Sequence, residues 1–261
     1  MSTLLIALAA VTAVGSAVRS TWSPCGLSML STITPMAERS RGRRWELTAA
    51  WFVLGAALGG LTLGGLAALG AVLVGATGAA ASTVLGVAAV LAVAAVALDL
   101  GLLGRPMPHH RRQVDEAWLD QYRSWVYGGG FGWQIGTGLL TYIMTSGVYL
   151  TVALAALTGR PMIAASIGLL FGLVRGLAIF LGVRLVDPDR LRTFHRRFEE
   201  AGPAVRFAVI GVPAAVAVTA SGAVWGLVGA AGAVGVVSLL ALVAARGLAA
   251  PVHPLGTEPA V

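Results

Sequence analysis

The chain has a single cysteine, Cys25, in the stretch Thr21-Trp22-Ser23-Pro24-Cys25-Gly26. A lone thiol cannot close an intramolecular disulfide. Pro24 lacks an N–H and breaks a helix, which frees carbonyls just upstream of it. A helix restarting after the break aims its first N–H groups towards the sulfur, and that field favours the nucleophilic thiolate. Arg19 lies close in sequence and acts in the same direction. Cys25 is therefore the candidate catalytic residue, a redox thiol. A small buried cysteine that only fills space is the alternative reading.

Arg19 and Arg175 are the second candidates, because both fall inside apolar stretches. A charge within a span is costly and faces a cavity or a partner. Asp99 is the only acid near a span end that could neutralise either one. Two cations near helix breaks suit an anionic ligand. Ser23, Pro24, Thr145 and Ser146 are expected to line its path with Arg19 and Arg175, and Thr21, Ser28, Thr32 and Thr141 add further hydroxyls. No Ser-His-Asp set, carboxylate pair or Walker loop is present. His109-His110 lacks further ligands at metal spacing, and Gly128-Gly129-Gly130-Phe131-Gly132 reads as a hinge rather than a nucleotide loop. No metal and no cofactor is implied. The chain reads as a carrier or transporter rather than a hydrolytic enzyme.

The elements that must hold these residues follow from composition. Of the 261 residues, 57% are hydrophobic and 11% charged, against roughly 25% charged in a soluble domain. This excludes a disordered chain and a disulfide-stapled domain, and leaves an all-α polytopic membrane protein. All eighteen basic residues are arginine, which with abundant Ala, Gly and Val marks a GC-rich bacterial genome. A net charge of +7 would raise nucleic acid in a soluble protein; here arginine beside spans is a topology signal, and no nucleic-acid partner is expected.

Apolar stretches of span length run from Thr3 to about Pro35, Trp45 to Gly75, Ala79 to Leu103, Trp133 to Thr158 and Met162 to Val186, and a last block, Val205 to Ala245, holds two spans with a turn expected at Gly222. That gives seven transmembrane helices, with six as the alternative. Fifteen arginines then fall on one side and only Arg160 on the other. The positive-inside rule places the N-terminus outside and the C-terminus in the cytoplasm of a bacterial cytoplasmic membrane. The first span has no basic residues before it, so it is expected to be retained rather than cleaved.

Two cytoplasmic loops are expected to carry interfacial helices. In 187–204, Asp187-Pro188 reads as cap and first position, and Leu191, Phe194 and Phe198 share a face that suits anionic lipid. In 113–126, Val114, Trp118, Tyr122 and Trp125 recur at helical spacing. Gly55, Gly59, Gly60 and Gly64 form small-residue packing motifs, for the bundle or for homo-oligomerisation.

Shifting the chain by 121 residues aligns Gly15 with Gly136, Gly26 with Gly147, Gly55 with Gly176 and Cys25 with Ser146. The expected organisation is a first three-helix unit over 1–103, a cytoplasmic loop over 104–132, a second unit over 133–221, and a C-terminal span and tail over 222–261. The two units would be inverted repeats with broken helices, the breaks falling at Pro24 and around Thr145-Ser146-Gly147, and would meet near the midplane.

With an N-out span broken at Ser23-Pro24-Cys25 and a second three-span unit, the chain resembles the CcdA/DsbD transmembrane thiol-disulfide carriers of cytochrome c biogenesis. The resemblance implies transfer of reducing equivalents across the membrane through one cysteine in each repeat. Ser146 stands where the second cysteine would be, so Cys25 would pair with a thiol-containing redox partner. The alternative function is a small-solute exporter or permease, with an anion as the solute, on the same scaffold.

Overall fold

A computed structural model describes residues 3–102 and 121–249. Among these residues the chain is helical and contains no strand. The helices are α1 (Thr3–Ser20), α2 (Pro24–Thr32), α3 (Pro35–Ser40), α4 (Trp45–Ala76), α5 (Ala81–Asp99), α6 (Ser124–Thr137), α7 (Gly147–Leu157), α8 (Pro161–Leu177) with a 3-10 turn over Ala178–Gly182, and α9 (Pro188–Ala249). Five are long and apolar enough to cross a membrane: α1, α4, α5, α8 with its 3-10 turn, and α9.

The short helices start where a hydroxyl precedes a proline. Ser23 is extended and its Oγ accepts from the Gly26 N–H at 3.1 Å. Thr34 does the same for Ala37 at 3.1 Å. Pro24 and Pro35 follow at the first helical position, where a missing N–H costs nothing. Asp187 caps α9 in the same way, its Oδ1 accepting from the Arg190 N–H at 2.8 Å. The expected break at Pro24 and cap at Asp187 are thus both present.

Helix α4 is the centre of the bundle. Its 32 residues span about 48 Å at 1.5 Å per residue. Glycines on two of its faces, roughly 100° apart, let two neighbours approach to backbone contact. On one face, a Cβ at Gly55 or Gly59 would fall on the carbonyl oxygen of Gly129 or Trp133. The reciprocal positions, Gly132 and Gly136 of α6, sit against the Phe52 and Ala56 carbonyls. These pairs ascend together, so α6 runs parallel to α4. On the other face, Gly60 meets Gly168 and Gly172, and Gly64 meets Ala165, so α8 runs antiparallel. The glycine faces offered for homo-oligomerisation are therefore covered within the chain. The run Gly128–Gly132 is a packed part of α6 and not a hinge, because its glycines admit the α4 backbone.

Around this centre, α1 packs on α7, with Ser16 Oγ 3.1 Å from Thr151 Oγ1, and α5 packs on α9. The turn expected at Gly222 falls instead at Gly226, which has φ +63°. Gly222 is the place where Ala230 packs back against the incoming limb, with 3.4 Å between a Cβ there and the Ala230 Cβ. The apolar face of residues 188–202 differs from expectation as well. Phe198 stacks on Trp22 at 4.2 Å between centroids, Trp22 Nε1 donates to the Phe198 carbonyl at 2.7 Å, and Phe194 packs on the same cluster. Phe198, at the end of this face, therefore meets protein, because the restart at Pro24 presents an aromatic, Trp22, to it, while Leu191 and Phe194 stay half-buried. The interfacial helix expected over 113–126 lies mostly outside the described residues, as do His109 and His110. Of its aromatic residues, Trp125 is in α6 beside Trp51.

Gly132→Leu should drive a side chain into the Phe52 carbonyl and separate α6 from α4, a cost on the order of 3 kcal/mol at the upper end of overpacking. Gly65→Leu, where nothing lies within 4 Å of a Cβ, is the control. Thermal unfolding of the two purified variants should show a lowered midpoint for the first alone. Equal midpoints would refute the α4–α6 contact.

Candidate functional site at the helix breaks

Two helices stop inside the bundle, and one arginine reaches both stops. Helix α1 stops at Ser20 and the chain restarts at Pro24. Helix α6 stops at Thr137, where Gly138 takes φ +71°, and the chain restarts at Gly147. The restart falls at the Thr145-Ser146-Gly147 stretch expected from the sequence.

Arg175 of α8 reaches both stops. Its Nη1 donates to the Ile135 carbonyl at 2.6 Å and to Thr141 Oγ1 at 3.3 Å, and its Nη2 donates to the Ser20 carbonyl at 3.4 Å. Ser20 and Ile135 lie in last helical turns, where carbonyls carry partial negative charge. The guanidinium also lies 5.8 Å from the Phe171 ring centroid. The residue is 2% exposed, so it does not open onto solvent or lipid. Cys25, in the first turn of α2, is buried within electrostatic range of this guanidinium. Ser23 and Pro24 serve here as cap and first residue of α2.

Asp99, at the end of α5, holds the second break. Its Oδ2 accepts from the Thr145 hydroxyl and its Oδ1 from the Ser146 N–H, both at 2.6 Å. Ser146 Oγ donates to the Ala95 carbonyl at 2.8 Å. A carboxylate thus receives the N–H at the start of α7, the favourable end of that helix. Arg19, Asp99, Tyr142, Thr145 and Arg206 line a cavity of 320 Å³, and Arg206 donates to the Asp99 carbonyl at 3.3 Å. Arg19 and Thr145 therefore share a cavity with Asp99, and Ser146 adjoins it. Arg175 does not line this cavity, so the two arginines expected to face one ligand are separate.

Glu38 is a buried polar centre that the sequence reading missed. It is 0% exposed. Its Oε2 accepts from the Thr48 hydroxyl at 2.6 Å and the Tyr127 hydroxyl at 2.5 Å, and its Oε1 from Arg41 Nη1 at 3.4 Å. These bonds join α3, α4 and α6. Arg43 lies over the Tyr127 ring, 5.2 Å from its centroid. The buried Tyr127 phenol donates to Glu38, which joins α6 to α3. The available signal was Thr34-Pro35, which starts a helix and carries Glu38 inward. In sequence, Glu38 is masked by the arginine run that follows it.

No family model matches the sequence, and no solved structure matches it. Relatives do. Over 184 residues, 69% of this chain and 66% of the relative, it is 36% identical to the methylamine utilization protein MauF of Paracoccus versutus. Over 198 residues, 75% of this chain and 71% of the relative, it is 34% identical to MauF of Paracoccus denitrificans. Over 186 residues, 70% of this chain and 64% of the relative, it is 32% identical to MauF of Methylophilus methylotrophus. The matches span about two thirds of these relatives' lengths. They overturn the CcdA/DsbD resemblance, and with it the thiol-redox function, the cytochrome c biogenesis assignment and the thiol-containing partner. They displace the solute-exporter alternative too, since the relatives are named for methylamine utilization. Ser23-Pro24-Cys25 misled because a capping serine followed by proline is a helix-restart signal that any broken helix can carry. The chain belongs to the MauF family of methylamine utilization proteins.

Proposed function

We propose that the chain is a membrane-embedded component of a bacterial methylamine-utilization system, accessory to amine oxidation and not itself the oxidising enzyme. The carrying observation is the shared identity of its relatives, each named a methylamine utilization protein. The site geometry agrees with an accessory role. At the breaks, Arg175, Asp99, Thr145 and Ser146 are engaged in holding helix ends together. Arg19 and the Asp99 cavity supply the accessible polar surface of this centre.

The reading includes seven spans, with the N-terminus outside and the C-terminus cytoplasmic. Helices α6 and α7 together form one broken span, and α9 forms two, divided at Gly226. With α1, α4, α5 and α8 this makes seven. Two three-helix units would be inverted relative to each other. The first covers 1–103. The second is entered at Ser124, earlier than the expected 133, and the turn at Gly226 precedes the last span. Support comes from the break in the first helix of each unit and from the arginine asymmetry.

Deleting the gene in its native host should abolish growth on methylamine while leaving growth on ammonium and a sugar intact; normal growth on methylamine would refute the function. Complementation by Arg175→Ala or Asp99→Asn should fail or fall at least tenfold, and Arg192→Gln, an exposed change outside the site, should restore growth. Full complementation by Arg175→Ala would show that the break centre is dispensable. A reporter fused after Val261 should read cytoplasmic, and an external reading would refute seven spans.

A further inference from the structure

The chain leaving the span Pro161–Gly182 passes from lipid to charge within a few residues. Phe180, Leu181, Val183 and Val186 are exposed apolar side chains. Arg184 follows Val183, and Pro188 then begins α9. Arg190, Thr193, Phe194 and Arg197 share one face of that helix, at the spacing i, i+3, i+4, i+7. Arg184 and Leu185 lie against this face. Together they form a groove of 400 Å³ with Arg184, Arg190 and Arg197 at its edges, Leu185 and Phe194 as apolar surface, and Asp189 as the one acid.

The groove is held in place from behind. Trp22 stacks on Phe198 and hydrogen-bonds its carbonyl, and Ser31 Oγ lies 2.9 Å from His195 Nε2. Because Phe198 is docked on Trp22 and Phe194 packs on Phe198 with its open side in the groove, the helix has no large apolar face left to insert among acyl chains. What it presents to the membrane surface is guanidinium. The charges there are incompletely matched. Arg190 pairs with Asp187 at 3.0 Å, and Asp189 with Arg192 at 3.3 Å. Among the described residues, Arg184 and Arg197 make no ion pair. With Arg190 paired to Asp187 and Asp189 to Arg192, the guanidiniums of Arg184 and Arg197 leave the groove cationic, and its size is that of a ligand site.

We propose that this groove binds the phosphodiester headgroup of an anionic phospholipid, with Arg184 and Arg197 as the principal contacts. Guanidinium matches phosphate bidentately. The lipid's acyl chains continue along Phe180, Leu181 and Val183, on the span that ends at the groove. The site is discrete and preformed, in contrast to a helix floating on the surface by its apolar face. It depends on the chain spanning a membrane and is independent of the methylamine reading, so either can fail without the other.

Native mass spectrometry of the full-length protein, delipidated in detergent and titrated with phosphatidylglycerol, tests the site. The wild type should retain one phosphatidylglycerol per chain at concentrations where phosphatidylcholine is not retained. Arg184→Gln with Arg197→Gln should weaken retention at least tenfold, and Arg160→Gln, an exposed change outside the groove, should behave as the wild type. Where the double variant is not monodisperse by gel filtration, each single variant, which leaves two of the three guanidiniums, should weaken retention severalfold. Retention equal to the wild type in the monodisperse variants would overturn the proposal. Equal retention of phosphatidylcholine would also overturn it, as would displacement of the lipid by an equal concentration of inorganic phosphate, which would assign the groove to a free anion.

Discussion

A helix that stops inside a packed apolar bundle must find partners for its last carbonyls and its first N–H groups, because water does not reach them. Much of the polar chemistry in this chain follows from that constraint. Arg175 donates to the carbonyls at the stops of α1 and α6. Asp99 and Ser23 accept from the N–H groups at the restarts of α7 and α2. The signs are as the helix dipole requires, cation at the C-terminal ends and carboxylate at an N-terminal one. These side chains are also the means by which two interrupted helices stay inside one bundle.

The bundle itself is closed by absent side chains. In lipid, apolar residues gain little from meeting each other, and association relies on close van der Waals fit. Helix α4 provides that fit on two faces at once, Gly55 and Gly59 towards α6, Gly60 and Gly64 towards α8. Glu38 then locks one end of the same arrangement, joining α3, α4 and α6 through Tyr127 and Thr48. Dispersion governs the middle of α4 and a satisfied charge its first turns.

Features with a local cause were legible in the sequence. Pro24, Asp187-Pro188 and the break before Gly147 are set by backbone chemistry that needs no partner. Arg175 was legible because a cation in an apolar run has few explanations. Features set by a distant surface were not. The Gly128–Gly132 run reads as flexible until the α4 backbone is laid against it. Phe198 reads as lipid-facing until Trp22 is placed beneath it. Gly222 and Gly226 are equivalent by residue type, and only packing against Ala230 tells them apart. The functional assignment failed for a related reason: a helix-restart motif was taken for a redox motif, and the relatives show a different family.

The bond from Arg175 to the Ser20 carbonyl spans 155 residues. Helices α1 to α5 leave the ribosome long before α8 exists, and both glycine faces of α4 wait equally for α6 and α8. Synthesis of the early helices therefore cannot complete their core. The stop of α1 keeps a carbonyl without its arginine, and α4 keeps two open seams, until the later helices enter. Completion of the bundle is thus a late and concerted event, and a chain cut short before residue 175 would be made yet unfinished.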